Sequence, residues 1–405
     1  MKLMTIAVFL LFSFAVAESP LPIMIWYGPP PVGDIREDIE AARNAGFDRL
    51  LFSAKEPSIN LQLLDQVENL GLQAYLSDAE IDRFVAGHES GLRRLDSLTL
   101  LYSRYRAFRG FLLYDKPGLK NLTSFAELAD FFNGKYPTLE SFIQLYPLYA
   151  TPASLDTSEY AVYLEQTVRK INPKWMAYEH AAINNGTVRP EFFQNLSEVK
   201  KTAEEQRKPF WAFVMLNPVG QPSHVPHSHI RVQIYSGLAF GAAGLQYFAF
   251  RPPGSLSQYA NASLFDADGR LAQTYLNCSI VNAEVRRLAP VLTKLTSLGV
   301  YAGKPAPAGV DLLPPNLAVT KINQPDVLIG LFRDRQGCDY VLVVNVDIRT
   351  GKRCRVYFAA DVKELVEIAK NDAPPYRVRM RSPETDDYAD LLFKAGDGRL
   401  FKIIK

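Results

Sequence analysis

Cysteine is scarce in this chain, with only Cys278, Cys338 and Cys354 among 405 residues. So few thiols exclude a disulfide scaffold, and an odd number leaves at least one of them unbridged. The one internal bridge to expect is Cys338 with Cys354, leaving Cys278 free. There is no CxxC, no HExxH and no cysteine–histidine cluster, so no metal site is expected. Cofactor motifs are missing too, because the turn after the first strand-like run is Gly28-Pro29-Pro30-Pro31 rather than G-x-G-x-x-G, and no cofactor is expected. Net charge is nearly absent: 45 Lys and Arg stand against 43 Asp and Glu, a formal +2. That balance offers no electrostatic case for a nucleic acid or an anionic membrane as partner.

Long apolar runs are missing after the N-terminus. The one at residues 3–14 follows Lys2 and closes with Ala15-Val16-Ala17 before Glu18, the pattern of a secretory signal peptide over residues 1–17. It is too short for a comfortable membrane span. The expectation is a secreted protein, extracellular or in the lumen of the secretory pathway, with no membrane attachment after cleavage. Sequons begin at Asn121, Asn185, Asn195, Asn261 and Asn277, so an N-glycosylated product is expected. No pattern in the sequence indicates an oligomeric state.

What is present is a rhythm. Between residues 23 and 289, short apolar runs that end in polar or proline residues alternate with segments of helical periodicity. The strand-like runs are 23–27, 49–53, 73–76, 111–114, 141–145, 174–178, 210–216 and 244–250. Eight strand–helix units at this spacing imply right-handed parallel crossovers, and favour a closed (β/α)8 TIM barrel over an open sheet. After about residue 297 prolines crowd a connection, and short alternating strands follow at 317–322, 327–333, 340–346 and 353–358, with a closing pair around Gly396-Asp397-Gly398. The division expected is a barrel over 18–297 and a small antiparallel β-sandwich over 298–405.

Barrel chemistry resides in the loops at the carboxyl ends of the strands. Those ends carry Trp26 and Tyr27, Asp78, Asp115 and Lys116, Tyr146, Glu179 and His180, Asn217, Tyr247 and Arg251. Rings mixed with carboxylates, and few cationic anchors, suit a neutral polyhydroxy ligand better than a phosphate. Trp26 is the best-placed ring for stacking on a sugar. Three histidines cluster at His224, His227 and His229, and a mobile loop over the barrel mouth is the preferred reading of that segment over a metal site.

Several of these stretches together resemble a known group. Gly110-Phe111-Leu112-Leu113-Tyr114-Asp115-Lys116-Pro117, Gln144-Leu145-Tyr146-Pro147, Tyr178-Glu179-His180, Asn195-Leu196, Pro209-Phe210-Trp211-Ala212-Phe213 and Gln246-Tyr247-Phe248 are similar to segments of secreted, mainly bacterial barrel proteins classed with the glycoside hydrolases. Those proteins carry Asp-Glu-Pro at the fourth strand and end in a small β domain. The resemblance implies that position 116 is the usual place of the acid/base, yet Lys116 stands there. The clan's second carboxylate belongs on the seventh strand, where residues 210–217 contain no Asp or Glu. The remaining pair is Asp115 with Glu179. At the rim their carboxyl groups are expected roughly 6.5–9.5 Å apart, sharing acid and base duties in an inverting reaction, with Lys116 holding one of them ionised. The remaining strand-end residues are expected to contact substrate. The alternative is a catalytically inactive carbohydrate-binding protein, a pseudoenzyme that has lost its acid at Lys116.

Overall fold

The structure, a computed structural model, describes residues 21–30, 35–88, 90–216, 224–251, 263–266, 269–381 and 387–405. The eight strands expected from the rhythm are β1 (Ile23–Trp26), β2 (Arg49–Phe52), β3 (Gln73–Leu76), β4 (Phe108–Asp115), β5 (Phe142–Leu145), β6 (Met176–Tyr178), β7 (Phe210–Met215) and β8 (Gly244–Phe248). They pair in parallel, each with its neighbours in sequence, and β8 closes on β1. The outer helices include α1 (Arg36–Asn44), α2 (Pro57–Asn69), α3 (Ala79–Val85), α4 (Ser90–Tyr102), α5 (Leu122–Lys135), α6 (Pro152–Leu155), α7 (Tyr160–Ile171), α8 (Glu191–Glu205), α9 (His227–Ala239) and α10 (Gln273–Leu292). This is the expected (β/α)8 barrel.

The strands are nearly continuous hydrophobic runs because both faces are covered. Inward, Met24, Trp26, Leu51, Tyr75, Phe142, Trp175, Ala177 and Trp211 fill the barrel. The Trp175 and Trp211 rings stack with centroids 3.8 Å apart. Arg49 plugs the amino-terminal end, its guanidinium 5.2 Å from the Trp211 ring and bonded to the Tyr75 hydroxyl and the Glu140 carboxylate at 2.6 Å each. A buried cation is tolerated there because it is both ion-paired and hydrogen-bonded.

Beyond α10 lie two packed sheets. One has the order β10-β9-β12-β13-β19-β15-β16, built from β9 (Thr296–Ala302), β10 (Asp311–Leu312), β12 (Val327–Arg333), β13 (Asp339–Asn345), β15 (Glu364–Ile368), β16 (Tyr376–Val378) and β19 (Gly398–Ile404). The other has the order β11-β14-β18-β17, from β11 (Val319–Ile322), β14 (Lys352–Phe358), β17 (Met380–Arg381) and β18 (Asp387–Phe393). All pairings are antiparallel except that of the two-residue β10. Alternate residues such as Ile329, Val341, Val343, Val356 and Phe401 form the core between them.

The expected disulfide does not form. Cys338, Cys354 and Cys278 are all free thiols, since Cys354 points into the core from β14 while Cys338 precedes β13 in the facing sheet. The signal-peptide residues and Asn217 lie outside the described residues. The histidine segment departs from the expected loop in part: His227 and His229 open the α9 helix, His224 precedes it outside any helix or strand, and residues 221–223 lie outside the described residues. Among the described residues no group of histidines, cysteines and carboxylates could hold a metal ion, and no helix is long and apolar enough to cross a membrane.

Candidate functional site

The fourth strand carries two devices that aim its carboxyl end. Gly110 has φ of 148°, and a Cβ there would stand 2.8 Å from the Ser141 backbone nitrogen, so only glycine lets β4 approach β5 so closely. The ladder then slips between Leu112 and Tyr114: Leu112 faces Phe142, but Tyr114 faces Ile143 and Asp115 faces Gln144. Such a bulge re-aims the side chains that follow it. Tyr114 packs outward on Phe125 of α5, ring centroids 4.5 Å apart, and Asp115 returns to the inner rank.

Lys116 continues the ladder by donating its backbone N–H to the Gln144 carbonyl at 2.9 Å, and it does so at φ of 61°. Tyr27, at the end of β1, has φ of 50°. Left-handed backbone at non-glycine residues is uncommon and gathers at functional sites. The turn throws the Lys116 ammonium across the rim, where it lies 2.5 Å from Glu179 Oε2 and 3.3 Å from Asp115 Oδ2. With one nitrogen 3.3 Å and 2.5 Å from them, these two carboxylate oxygens are at most 5.8 Å apart. That bound concerns the two oxygens nearest the lysine, and in the arrangement seen an ammonium occupies the space between the carboxylates that the water of an inverting reaction would need.

Burial raises the Asp115 carboxyl above its ordinary range; Lys116 pulls it back and Glu179 pushes it up again. Its side chain keeps 39% of its surface exposed, so water screens part of each influence. For Lys116 burial works against the charge, but the attraction of Glu179 and then Asp115 prevails, so the ammonium stays protonated. Tyr27 shares this field: burial and Asp115 raise its phenol, which Lys116 partly offsets. Its ring meets Phe248 edge-on at 5.5 Å. A recess of about 330 Å³ opens beside Asp115, lined by Tyr27, Ser53, Ser77, Asp78 and Tyr114.

Two further residues escaped the sequence reading. Gln144 is 1% exposed, and both atoms of its carboxamide lack a hydrogen-bond partner among the described residues. It sits on the inner rank one step below the Lys116 turn, and a polar residue inside an apolar strand was the available signal. Tyr149, in the loop after β5, is 39% exposed. Its hydroxyl accepts from Ala181 N at 3.1 Å, and its ring lies 5.1 Å from His180 and 4.9 Å from the Arg189 guanidinium.

The structure gives several expected substrate contacts other work. Trp26 is 2% exposed in the barrel core, where its indole N–H donates to Gln246 at 3.0 Å, so it offers no stacking face. Tyr247 points outward and donates to Asn282 of α10. Odd and even positions of a strand take opposite faces, and Tyr247 falls on the wrong one. Asp78 caps α3 by accepting from Glu80 N at 2.9 Å and also accepts from the Tyr102 hydroxyl at 2.8 Å. Arg251 is committed to Asp38 at 3.1 Å and to the Phe265 ring. His180 is fully buried; desolvation drives its pKa down to about 3, against a raising contribution from Asn195, so the imidazole is neutral. Tyr146 is half-buried, its carbonyl accepting from the Tyr160 hydroxyl at 2.9 Å. Asp115, Lys116 and Glu179 are the expected residues that the fold brings into direct contact.

A cavity of about 810 Å³ lies elsewhere, between α9, α10 and the β domain. Its charged walls already serve one another: Arg231 pairs with Glu284 within the barrel, and Lys370 with Asp397 and Arg399 with Glu367 within the β domain, while Lys370 to Glu284 at 3.9 Å and Arg231 to Asp397 at 4.0 Å cross between the two.

No protein-family model matches the sequence, and no curated protein is detectably similar to it. Solved structures are similar in fold. A β-galactosidase from the psychrophilic Marinomonas ef1 superposes with a TM-score of 0.54 at 11% identity, over 70% of this chain and 63% of that one. The catalytic domain of GH30 xylanase C from Talaromyces cellulolyticus gives 0.48 at 10% identity, over 95% and 96% of the two chains. An α-L-fucosidase GH29 from Bacteroides thetaiotaomicron gives 0.47 at 10% identity, over 93% and 82%. The latter two scores carry no weight by themselves, and at 11% identity the first speaks for the fold alone. The chain has a (β/α)8 barrel of the kind found in glycoside hydrolases, followed by a β domain.

Proposed function

We propose that this protein is a secreted, glycoside-hydrolase-like enzyme acting on an oligosaccharide or glycoconjugate at the carboxyl-terminal rim of its barrel. The observation that carries the proposal is the pair of carboxylates, Asp115 after β4 and Glu179 after β6, converging on one ammonium at a rim built for chemistry. Glycoside hydrolysis needs one carboxyl that can donate a proton and one that stays ionised. Asp115, held above its ordinary range, is the donor to the glycosidic oxygen. Glu179, ion-paired with Lys116, is the anionic partner. A close spacing of about 5–5.5 Å belongs to direct displacement. Glu179 attacks the anomeric carbon as the lysine side chain swings aside, and the leaving oxygen takes the Asp115 proton. Water, deprotonated by Asp115, then releases the sugar and frees Glu179. Tyr27 and Ser53, which line the recess beside Asp115, supply hydrogen bonds to hydroxyls there.

One observation favours a second reading, binding without hydrolysis. Lys116 occupies the position of the acid in the family pattern, and its ammonium stands between the two carboxylates. The test is a panel of aryl glycosides alongside a glycan array, using the full chain and its Asp115→Asn and Glu179→Gln variants. Hydrolysis lost in both variants, with the anomeric configuration retained in the product, supports the first reading. Glycan binding without turnover supports the second, and neither binding nor turnover refutes both.

A further inference from the structure

The sequence offers several asparagines to N-glycosylation, and the fold sorts those it describes into closed and open. Asn195 is fully buried in α8, with Oδ1 accepting from Leu148 N at 2.7 Å. Asn277 is 3% exposed in α10; its amide donates to the Val225 carbonyl at 2.7 Å, and its Oδ1 accepts from Gln273 at 3.1 Å. A glycan at either would need that hydrogen bonding undone and a helix lifted off the barrel, so a chain modified there does not reach this fold. Asn261 lies outside the described residues.

Asn185 and Asn121 are open. Asn185 is exposed at the tip of a hairpin that pairs Ile183–Asn184 with Thr187–Val188. Its φ of 46° and the 70° of Gly186 make a tight turn with both central residues left-handed, which pushes the side chain out of the body. Thr187 is exposed too, its hydroxyl donating to the Asn184 carbonyl at 2.8 Å. Asn121 is exposed at the end of a short 3-10 turn, Leu119–Asn121, that leads into α5. The exposed Thr123 hydroxyl two positions on accepts from Lys170 at 3.1 Å.

We infer that Asn185 and Asn121 are N-glycan acceptors of the folded protein, and that their glycans flank the mouth of the candidate site. Both lie in loops on the carboxyl-terminal rim. Asn121 is in the connection that leaves β4 through Asp115 and Lys116, and Asn185 is in the connection that leaves β6 through Glu179 and His180. In the transfer, the asparagine amide nitrogen attacks the anomeric carbon of a lipid-pyrophosphate-linked oligosaccharide donor. The N–C bond forms, the bond from that carbon to the pyrophosphate oxygen breaks, the amide gives up one proton, and the lipid pyrophosphate departs. Hydrophilic chains on both sides of the cleft keep this face in water and unavailable to a close protein interface. The inference stands whether the cleft hydrolyses a glycan or only binds one.

The experiment expresses the full chain with residues 1–17 in insect cells and isolates the folded, unaggregated secreted fraction. Peptides are mapped after enzymatic deglycosylation in heavy-oxygen water, which marks each released asparagine. Label at Asn185 and Asn121 and none at Asn195 or Asn277 is the expected result. Label at Asn195 or Asn277 in the folded fraction, or an unlabelled Asn185, overturns the inference. Thr187→Ala and Thr123→Ala should each remove one glycan step on a gel with the melting temperature unchanged, while Ser197→Ala leaves the gel pattern as it was. A glycan step lost in Ser197→Ala also overturns it.

Discussion

Replacing Lys116 by methionine removes the ammonium that holds the rim together, and the cost can be worked from the geometry. Both side chains are unbranched and equally strained at φ of 61°, so the backbone contribution cancels. What remains is two carboxylates whose nearest oxygens are at most 5.8 Å apart, from contacts of 3.3 Å and 2.5 Å to the lost nitrogen. Two unit charges at that separation repel by about 3 kcal/mol at an effective dielectric of 20. The Asp115 and Glu179 side chains are 39% and 24% exposed, and screening reduces this to about 1 kcal/mol. The lost partly exposed ion pair adds up to about 1 kcal/mol, so Lys116→Met should destabilise by about 1–2 kcal/mol at pH 7.5.

The pH dependence fixes the sign. Asp115 already sits above its ordinary value, and losing the cation raises it further in the folded state alone. An acid raised on folding costs stability above its folded pKa and none below its unfolded one, so the penalty should shrink by at least half on going to pH 4. Urea melts of wild type, Lys116→Met and the charge-preserving Lys116→Arg, followed by tryptophan fluorescence, measure this. A penalty equal at both pH values, or below about 0.3 kcal/mol at each, would show that the three groups are not coupled, and the proposed site would lose its basis.

Tyr247→Phe should cost about 1–3 kcal/mol by leaving the buried Asn282 Oδ1 without its donor, yet leave glycan affinity as in wild type; an affinity loss at unchanged stability would return Tyr247 to the cleft. His180, neutral and buried with a pKa of about 3, takes up a proton only on unfolding, so wild-type stability should fall by about 1.4 kcal/mol per unit below pH 6. His180→Phe should flatten that slope, and urea melts showing the wild-type slope retained would contradict the assignment. Thiol titration of the native protein should count Cys338 alone, because Cys278 and Cys354 are buried and burial pushes the Cys354 thiol up to about 12. Denaturation should bring the count to the full three, and a native count of zero would mean a bridge or a covered Cys338.

The alternation of apolar runs with helical periodicity was enough to determine the barrel. Eight runs such as residues 210–215 are largely apolar because parallel strands are covered on both sides, and that composition is local information. The carboxyl ends of those runs could be read as a rim for the same reason. Which side chains turn into the rim was a tertiary matter. The bulge after Leu112 arises only from the pairing of β4 with β5, and it alone sets Asp115 inward and Tyr114 outward. Trp26 and Tyr247 were misjudged because strand-end position says nothing of face, whereas the closed barrel gives every strand an inside and an outside. The Cys338–Cys354 pairing failed because distance in space depends on which sheet each strand joins. Lys116 was legible as a departure from a family pattern, but its ammonium bridging Asp115 and Glu179 depends on β4 and β6 standing two strands apart around a closed ring, a relation no local stretch of sequence contains.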